Sequence, residues 1–145
     1  MPHRMHRMVF VCAALMLAAS TARADLLPAP NRGPSAGRAG GLDFKVEWME
    51  FEMGPVGGPY YRKRRQIVVL SGCADGHPNC TLARSRNLLG MEVRAVDGTD
   101  LQPQKGMVQQ ILDAFASKSG ARRVTLELVA RAPKSEPIEV AFARR

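Results

Sequence analysis

Residues 42–71 read LDFKVEWMEFEM-GPVGGP-YYRKRRQIVVLS, and this stretch decides the fold. Phe44, Val46 and Trp48 alternate with Lys45 and Glu47, the period of a half-buried strand. The phase then slips. Phe51 and Met53 carry the pattern on with Glu50 and Glu52 between them, which predicts a β-bulge near Met49. Gly54 to Pro59 has the chemistry of a turn. The run from Tyr60 to Ser71 begins polar and ends in IVVL, so two strand-like runs flank a Gly/Pro loop and read as a hairpin.

Towards the C-terminus, CADGHPNC (73–80) forms a short polar loop between two cysteines, and Thr81 to Gly90 is mixed and basic. Met91, Val93 and Ala95 alternate with Glu92 and Arg94 as a third strand, closed by a turn at Asp97–Asp100. The clearest helix follows. Met107, Val108, Ile111, Leu112 and Phe115 fall on one face. Pro103 suits its first turn, Gly106 weakens that turn slightly, and Lys118 and Gly120 suit its end. Val124, Leu126, Leu128 and Ala130 alternate as a fourth strand, and Ile138, Val140 and Phe142 as a fifth. The order β-β-β-α-β-β predicts an α+β domain over 42–145, a mainly antiparallel sheet of about five strands with one amphipathic helix on one face.

Towards the N-terminus the chain changes character. Arg4 and Arg7 precede a nearly continuous apolar run, MVFVCAALMLAA (8–19), and Ala22-Arg23-Ala24 closes it. That is the layout of a Sec-type signal peptide over 1–24, cleaved after Ala24. Export of a bacterial chain to the periplasm or beyond is the expectation. Residues 25–41, DLLPAPNRGPSAGRAGG, offer little to bury and read as a disordered leader. No apolar run reaches the roughly 18–20 residues of a membrane-spanning helix, so no transmembrane anchor is expected in the mature chain.

Cleavage rewrites the composition. The whole chain of 145 residues carries 21 Lys+Arg against 13 Asp+Glu, a net charge of +8, with three cysteines. Losing Arg4, Arg7, Arg23 and Cys12 leaves 121 residues with 18 cations against the same 13 acids, or +5. It also leaves Cys73 and Cys80 as an even pair. Outside the cytosol such a pair is expected to form a disulfide.

Catalytic equipment is sparse. His77 is the single histidine of the mature chain, with Ser71 and Asp75 close in sequence, but no G-x-S-x-G elbow accompanies it. Reduced Cys73 and Cys80 with His77 could hold a soft metal, but an oxidised pair could not, and no recognised ligand spacing occurs. Glu47, Glu50 and Glu52 read as a solvated acidic strand face. They do not suggest a paired-carboxylate device, which would need a substrate cleft. No enzyme, cofactor or metal is expected.

Two features suggest binding instead. In Tyr60-Tyr61-Arg62-Lys63-Arg64-Arg65, four consecutive cations adjoin two aromatics, a combination able to grip carboxylates, phosphates or acidic protein patches. Export argues against nucleic acid. The bland reading of the same run is an edge strand guarded by charge. Arg84, Arg86, Arg122 and Arg123 are further cations that could join it. The second feature is the cysteine-closed loop with Asp75, His77 and Asn79, small, polar and clamped at its base. The 13 residues VVLSGCADGHPNC (68–80) resemble the device of exported bacterial lysozyme inhibitors of the vertebrate-lysozyme type. There a strand runs into a short cysteine-closed loop containing His and Pro. The resemblance implies a similar mode of binding and does not extend to the rest of the chain.

The sequence therefore predicts a small exported binding protein without catalysis, acting on another envelope or extracellular macromolecule. An inhibitor, an immunity protein or an accessory factor for secretion or surface assembly would each fit. A binder of anionic envelope polymer or lipopolysaccharide is the alternative, and a small hydrolase the third reading.

Overall fold

The computed structural model describes residues 30–54, 58, 61–117 and 122–145. The expected signal peptide (1–24), the start of the expected leader, Tyr60, Lys118 and Gly120 lie outside them. The described chain is a mainly antiparallel sheet with helices, an α+β arrangement. Its strands are β1 (Ala36–Ala39), β2 (Leu42–Met53), β3 (Tyr61–Cys73), β4 (Glu92–Val96), β5 (Thr99–Asp100), β6 (Arg123–Val129) and β7 (Ile138–Ala143). The helices are α1 (Pro78–Ser85) and α2 (Met107–Ala116), the latter preceded by a single 3-10 turn at Pro103–Lys105. The sheet order is β1-β2-β3-β4-β6-β7, with β5 beside β4, and all pairs are antiparallel.

Among the described residues seven strands replace the expected five, and two helices the expected one. One addition is β1, in the segment read as disordered leader. Gly40 and Gly41, at φ 57° and 71°, form a two-residue turn that folds Ala36–Ala39 back onto β2. Positive φ at both positions gives the turn whose twist matches a hairpin. Residues before β1 are held as a strap. Asn31 N–H donates to Gln66 Oε1 at 2.6 Å, and Arg32 N–H to Pro103 O at 2.8 Å. Asn31 Oδ1 accepts from Met107 N–H at 2.9 Å. That contact satisfies the start of α2, whose N-cap, Gly106, has no side chain to do so. Gly106 thus stands outside the helix at φ 80°, where the sequence pattern had put it in the first turn.

The core lies between the sheet and α2. Leu42, Phe44, Val68 and Leu70 from the hairpin meet Val124, Leu126, Leu128, Val140 and Phe142 from β6 and β7. Met107, Val108, Ile111 and Phe115 of α2 are buried against them. Four such side chains contribute roughly 6–12 kcal/mol of gross burial energy at about 1.5–3 kcal/mol each.

The sheet is strongly curled. Asn79, at the start of α1, is 2% exposed and its Nδ2 donates to Gly40 O at 2.8 Å and Ala143 O at 2.7 Å. Its Oδ1 accepts from Ala143 N–H at 2.8 Å. Gly40 belongs to the β1–β2 turn and Ala143 to β7, near opposite edges of the sheet. In a flat sheet these strands would stand about 20 Å apart at about 4.8 Å per spacing. One amide can bridge them only because the sheet wraps around its core.

Candidate functional site

β2 and β3 are much longer than their neighbours. β1 pairs β2 only at Leu42–Lys45, and β4 pairs β3 only at Val68 and Val69. From Glu47 to Met53 and from Tyr61 to Ile67 the two strands pair only with each other among the described residues. At about 3.3 Å per residue, this two-stranded arm extends roughly 20 Å from the body. The departure of β4 has a local cause. It turns to pair with β6, bulging at Arg94, and leaves β3 after Val93.

The expected bulge near Met49 is absent. Register runs unbroken from Phe44↔Leu70 to Met53↔Tyr61, and the one shift lies at Asp43/Phe44 opposite Ser71. The phase slip in the sequence has another origin. Past Val46 the main core no longer lies beneath the arm, and of its described residues only Ile67, at its base, is fully buried, so apolar side chains can stand on either face. Trp48 follows the core-side face outward and is 55% exposed. Phe51 and Met49 stand on the reverse face, half-buried.

That register decides the electrostatics. Glu50 lies opposite Arg64 and Glu52 opposite Arg62. The charged atoms approach to 3.4 and 3.9 Å. All four side chains are more than half exposed, so each pair stabilises by only about 0–1 kcal/mol. The Arg64 guanidinium also lies over the Trp48 ring, 5.3 Å from its centroid. On the reverse face Arg65 lies over Phe51 at 5.9 Å and reaches Glu92 at 3.2 Å. Glu92 is buried to 4% exposure and holds Arg94 as well, at 3.7 Å. The basic run is therefore matched by carboxylates on both faces, and Arg65 belongs to a structural cluster. Next to it, Lys45 and Arg131 both bond Glu47 at 2.8 Å. These contacts hold the Glu47 carboxyl below the usual range, chiefly through the Lys45 hydrogen bond, to which the Lys45 and then the Arg131 charge add. Arg38 does the same for Asp43 through a side-chain hydrogen bond.

The cysteine loop differs from its expected form. Cys73 and Cys80 are joined in a disulfide with S–S 2.02 Å. Only residues 74–77 form a turn, after which Pro78 opens α1. His77 is the N-cap, its Nδ1 accepting from Asn79 N–H at 3.1 Å. Its ring lies against Gly41, where a Cβ would collide with it. Asn79 is spent on the sheet closure described above, so its amide faces the interior and offers nothing to a partner. Asp75 stays exposed and pairs with Arg84 at 2.6 Å. The second half of the expected loop is thus a helix start, because Pro at N1 and a capping His favour a helix over a loop.

The two candidate features are not brought together. Arg65 and Cys73 lie at opposite ends of β3, about 25 Å apart at 3.3 Å per residue. Tyr61 joins the arm through its backbone, opposite Met53. Arg122 and Arg123 stand at the β6–β7 end, where Arg144 donates to Ser117 O at the end of α2. Glu50, Phe51, Glu52 and Arg62 line a hollow of about 180 Å³, below the roughly 300–1,000 Å³ of ligand pockets. Among the described residues no group of three His, Cys, Asp or Glu is placed to hold a metal. No described helix is long and apolar enough to cross a membrane.

Trp48 is the residue that sequence reasoning missed. Its place in an alternating run gave it a core-facing role. The signal that could have corrected this is the mismatch of lengths, since strands of 12 and 13 residues outrun a sheet whose other strands have seven or fewer. No protein-family model, no curated protein and no solved structure matches the chain.

Proposed function

We propose that this chain is a small exported binding protein, without catalysis of its own, that captures another macromolecule of the envelope or extracellular space through the β2–β3 arm. Trp48 is the observation that carries the reading. A half-exposed indole stacked under a guanidinium, on a ribbon beyond the main core, costs solubility and adds little to the fold. Trp and Arg are the residues most enriched where binding energy concentrates. Isolated two-stranded ribbons are also marginal in water, so a partner would supply what the arm lacks.

The disulfide fits an oxidising compartment. An anionic-polymer binder is less favoured, because contacts made of screened charge have no use for a half-exposed indole at the centre of the surface. Of an inhibitor, an immunity protein and an assembly factor, the arm singles out none.

The test is Trp48→Ala in a pull-down from periplasm and culture medium, scored beside thermal stability. Loss of the indole should weaken capture by about 2 kcal/mol or more, some thirtyfold in Kd, and change stability by less than about 1 kcal/mol. Undiminished capture would refute the arm as the binding surface.

A further inference from the structure

We propose that the arm takes its partner by strand addition, an extended acidic polypeptide segment pairing along the open edge of β3 beside Arg62 and Arg64. The inference rests on the arm being the binding surface and adds the partner's chemistry and geometry.

The backbone supplies the first argument. Leu70 donates its N–H to Met91 O and accepts Gly90 N–H at its own carbonyl, so its polar groups face the β4 side. Strand polarity alternates with period two, and register is unbroken from Leu70 to Tyr61. The N–H and C=O groups of Gln66, Arg64 and Arg62 therefore face that same side. β4 leaves after Val93, and among the described residues no strand takes its place. An open row of this kind is a template for an added strand.

Charge then selects the guest. Arg62 and Arg64 stand on one face of this edge and Arg65 on the other. A second copy of the chain would set the same cations against themselves, and like charges directly opposite destabilise a sheet. An acidic strand would instead place each cation between two carboxylates, its own on β2 and the guest's.

The fold already contains one instance. β4, the strand that occupies the start of this edge, sets Glu92 opposite Val69, and Arg65 reaches back along β3 to it at 3.2 Å. A guest continuing the line of β4 would set its residues directly opposite Arg64 and Arg62, which calls for acidic residues two apart with β-branched residues between.

The probe is a capped six-residue peptide with glutamate at alternate positions and valine between, titrated against the full mature chain by NMR. Two further peptides of equal charge carry N-methyl groups on either the odd or the even residues. Strand addition uses alternate amides only, so one methylated peptide should bind at least tenfold more weakly and the other should match the parent. A glutamine version should also lose at least tenfold, as should the Arg62→Glu/Arg64→Glu variant with the parent peptide. Equal binding of both methylated peptides would mean a plain electrostatic surface, and absence of peptide binding no strand site. Either overturns the proposal. The underlying reading fails separately. If Trp48→Ala captures the partner as well as wild type, the arm is not the surface. If capture is lost but the peptide does not bind, the arm stands and strand addition falls.

Discussion

Replacing Asn79 by Ala should open the fold at its seam. The side chain is 2% exposed and satisfies three backbone groups, the Gly40 carbonyl and the N–H and C=O of Ala143, at 2.7–2.8 Å. A buried polar group left without a partner costs about 1–3 kcal/mol, so three cost about 3–9. Water entering the small vacancy would recover part of this, which leaves about 3–5 kcal/mol. For a domain of this size 1 kcal/mol corresponds to about 4 °C, so Tm should fall by about 12–20 °C. Thermal melts and urea titration by circular dichroism read this directly, with a thiol assay to verify that the neighbouring disulfide is intact. Asn79→Asp keeps the acceptor for Ala143 N–H but sets a buried carboxylate oxygen against the Gly40 and Ala143 carbonyls, so at neutral pH it should fall at least as far as Ala. A Tm change below about 4 °C for Asn79→Ala would refute the claim that this amide ties the two edges of the sheet.

Three further outcomes follow from the same contacts. Cys73→Ser/Cys80→Ser should lose about 2–3 kcal/mol, the chain-entropy value for so short a loop, and two reactive thiols in the native protein would contradict the clasp. Charge reversal should separate the arm's arginines. Arg65→Glu sets a carboxylate beside buried Glu92 and should cost about 2 kcal/mol or more. Arg62→Glu and Arg64→Glu, both exposed, should cost less than about 1 kcal/mol each, and equal costs at all three sites would refute the distinction. Stability should also fall in acid. Asp43 and Glu47 have folded pKa values depressed by their cation partners, so their contribution is complete above the ordinary carboxylate range and is lost as pH drops below about 4. Both carboxyls are only partly buried and stand at the surface, so the effect is small and salt should weaken it. Unchanged acid sensitivity in Asp43→Asn/Glu47→Gln would count against this source.

Much of the fold is legible in single residues because burial enforces periodicity. Phe44, Val68, Leu126 and Phe142 alternate as they do because one face of each strand meets the core, and α2 shows the same at period 3.6. Legibility fails where that constraint lapses. Trp48, Phe51 and Met49 change faces because the main core does not extend beneath the arm, and the sequence imitates a bulge that is not there. β1 has one turn of two glycines as its signal, and its composition is that of a linker. The pairing of Glu50 with Arg64 and Glu52 with Arg62 depends on a register set by the hairpin as a whole. His77 and Asn79 look like loop residues for a related reason. Their roles, a helix cap and a bridge between Gly40 and Ala143, join residues up to 64 positions apart.

The central claim is that a partner pairs along the open edge of β3, and amide hydrogen exchange tests it most directly. In the free protein the amides of Arg62, Arg64 and Gln66 should exchange fast, while those of Lys63 and Arg65, directed at β2, exchange more slowly. With the partner bound, the first three should become protected by tenfold or more and the alternation should vanish. Protection confined to the turn 74–77 and α1, with Arg62, Arg64 and Gln66 unchanged, would place the interface at the disulfide end and contradict the account.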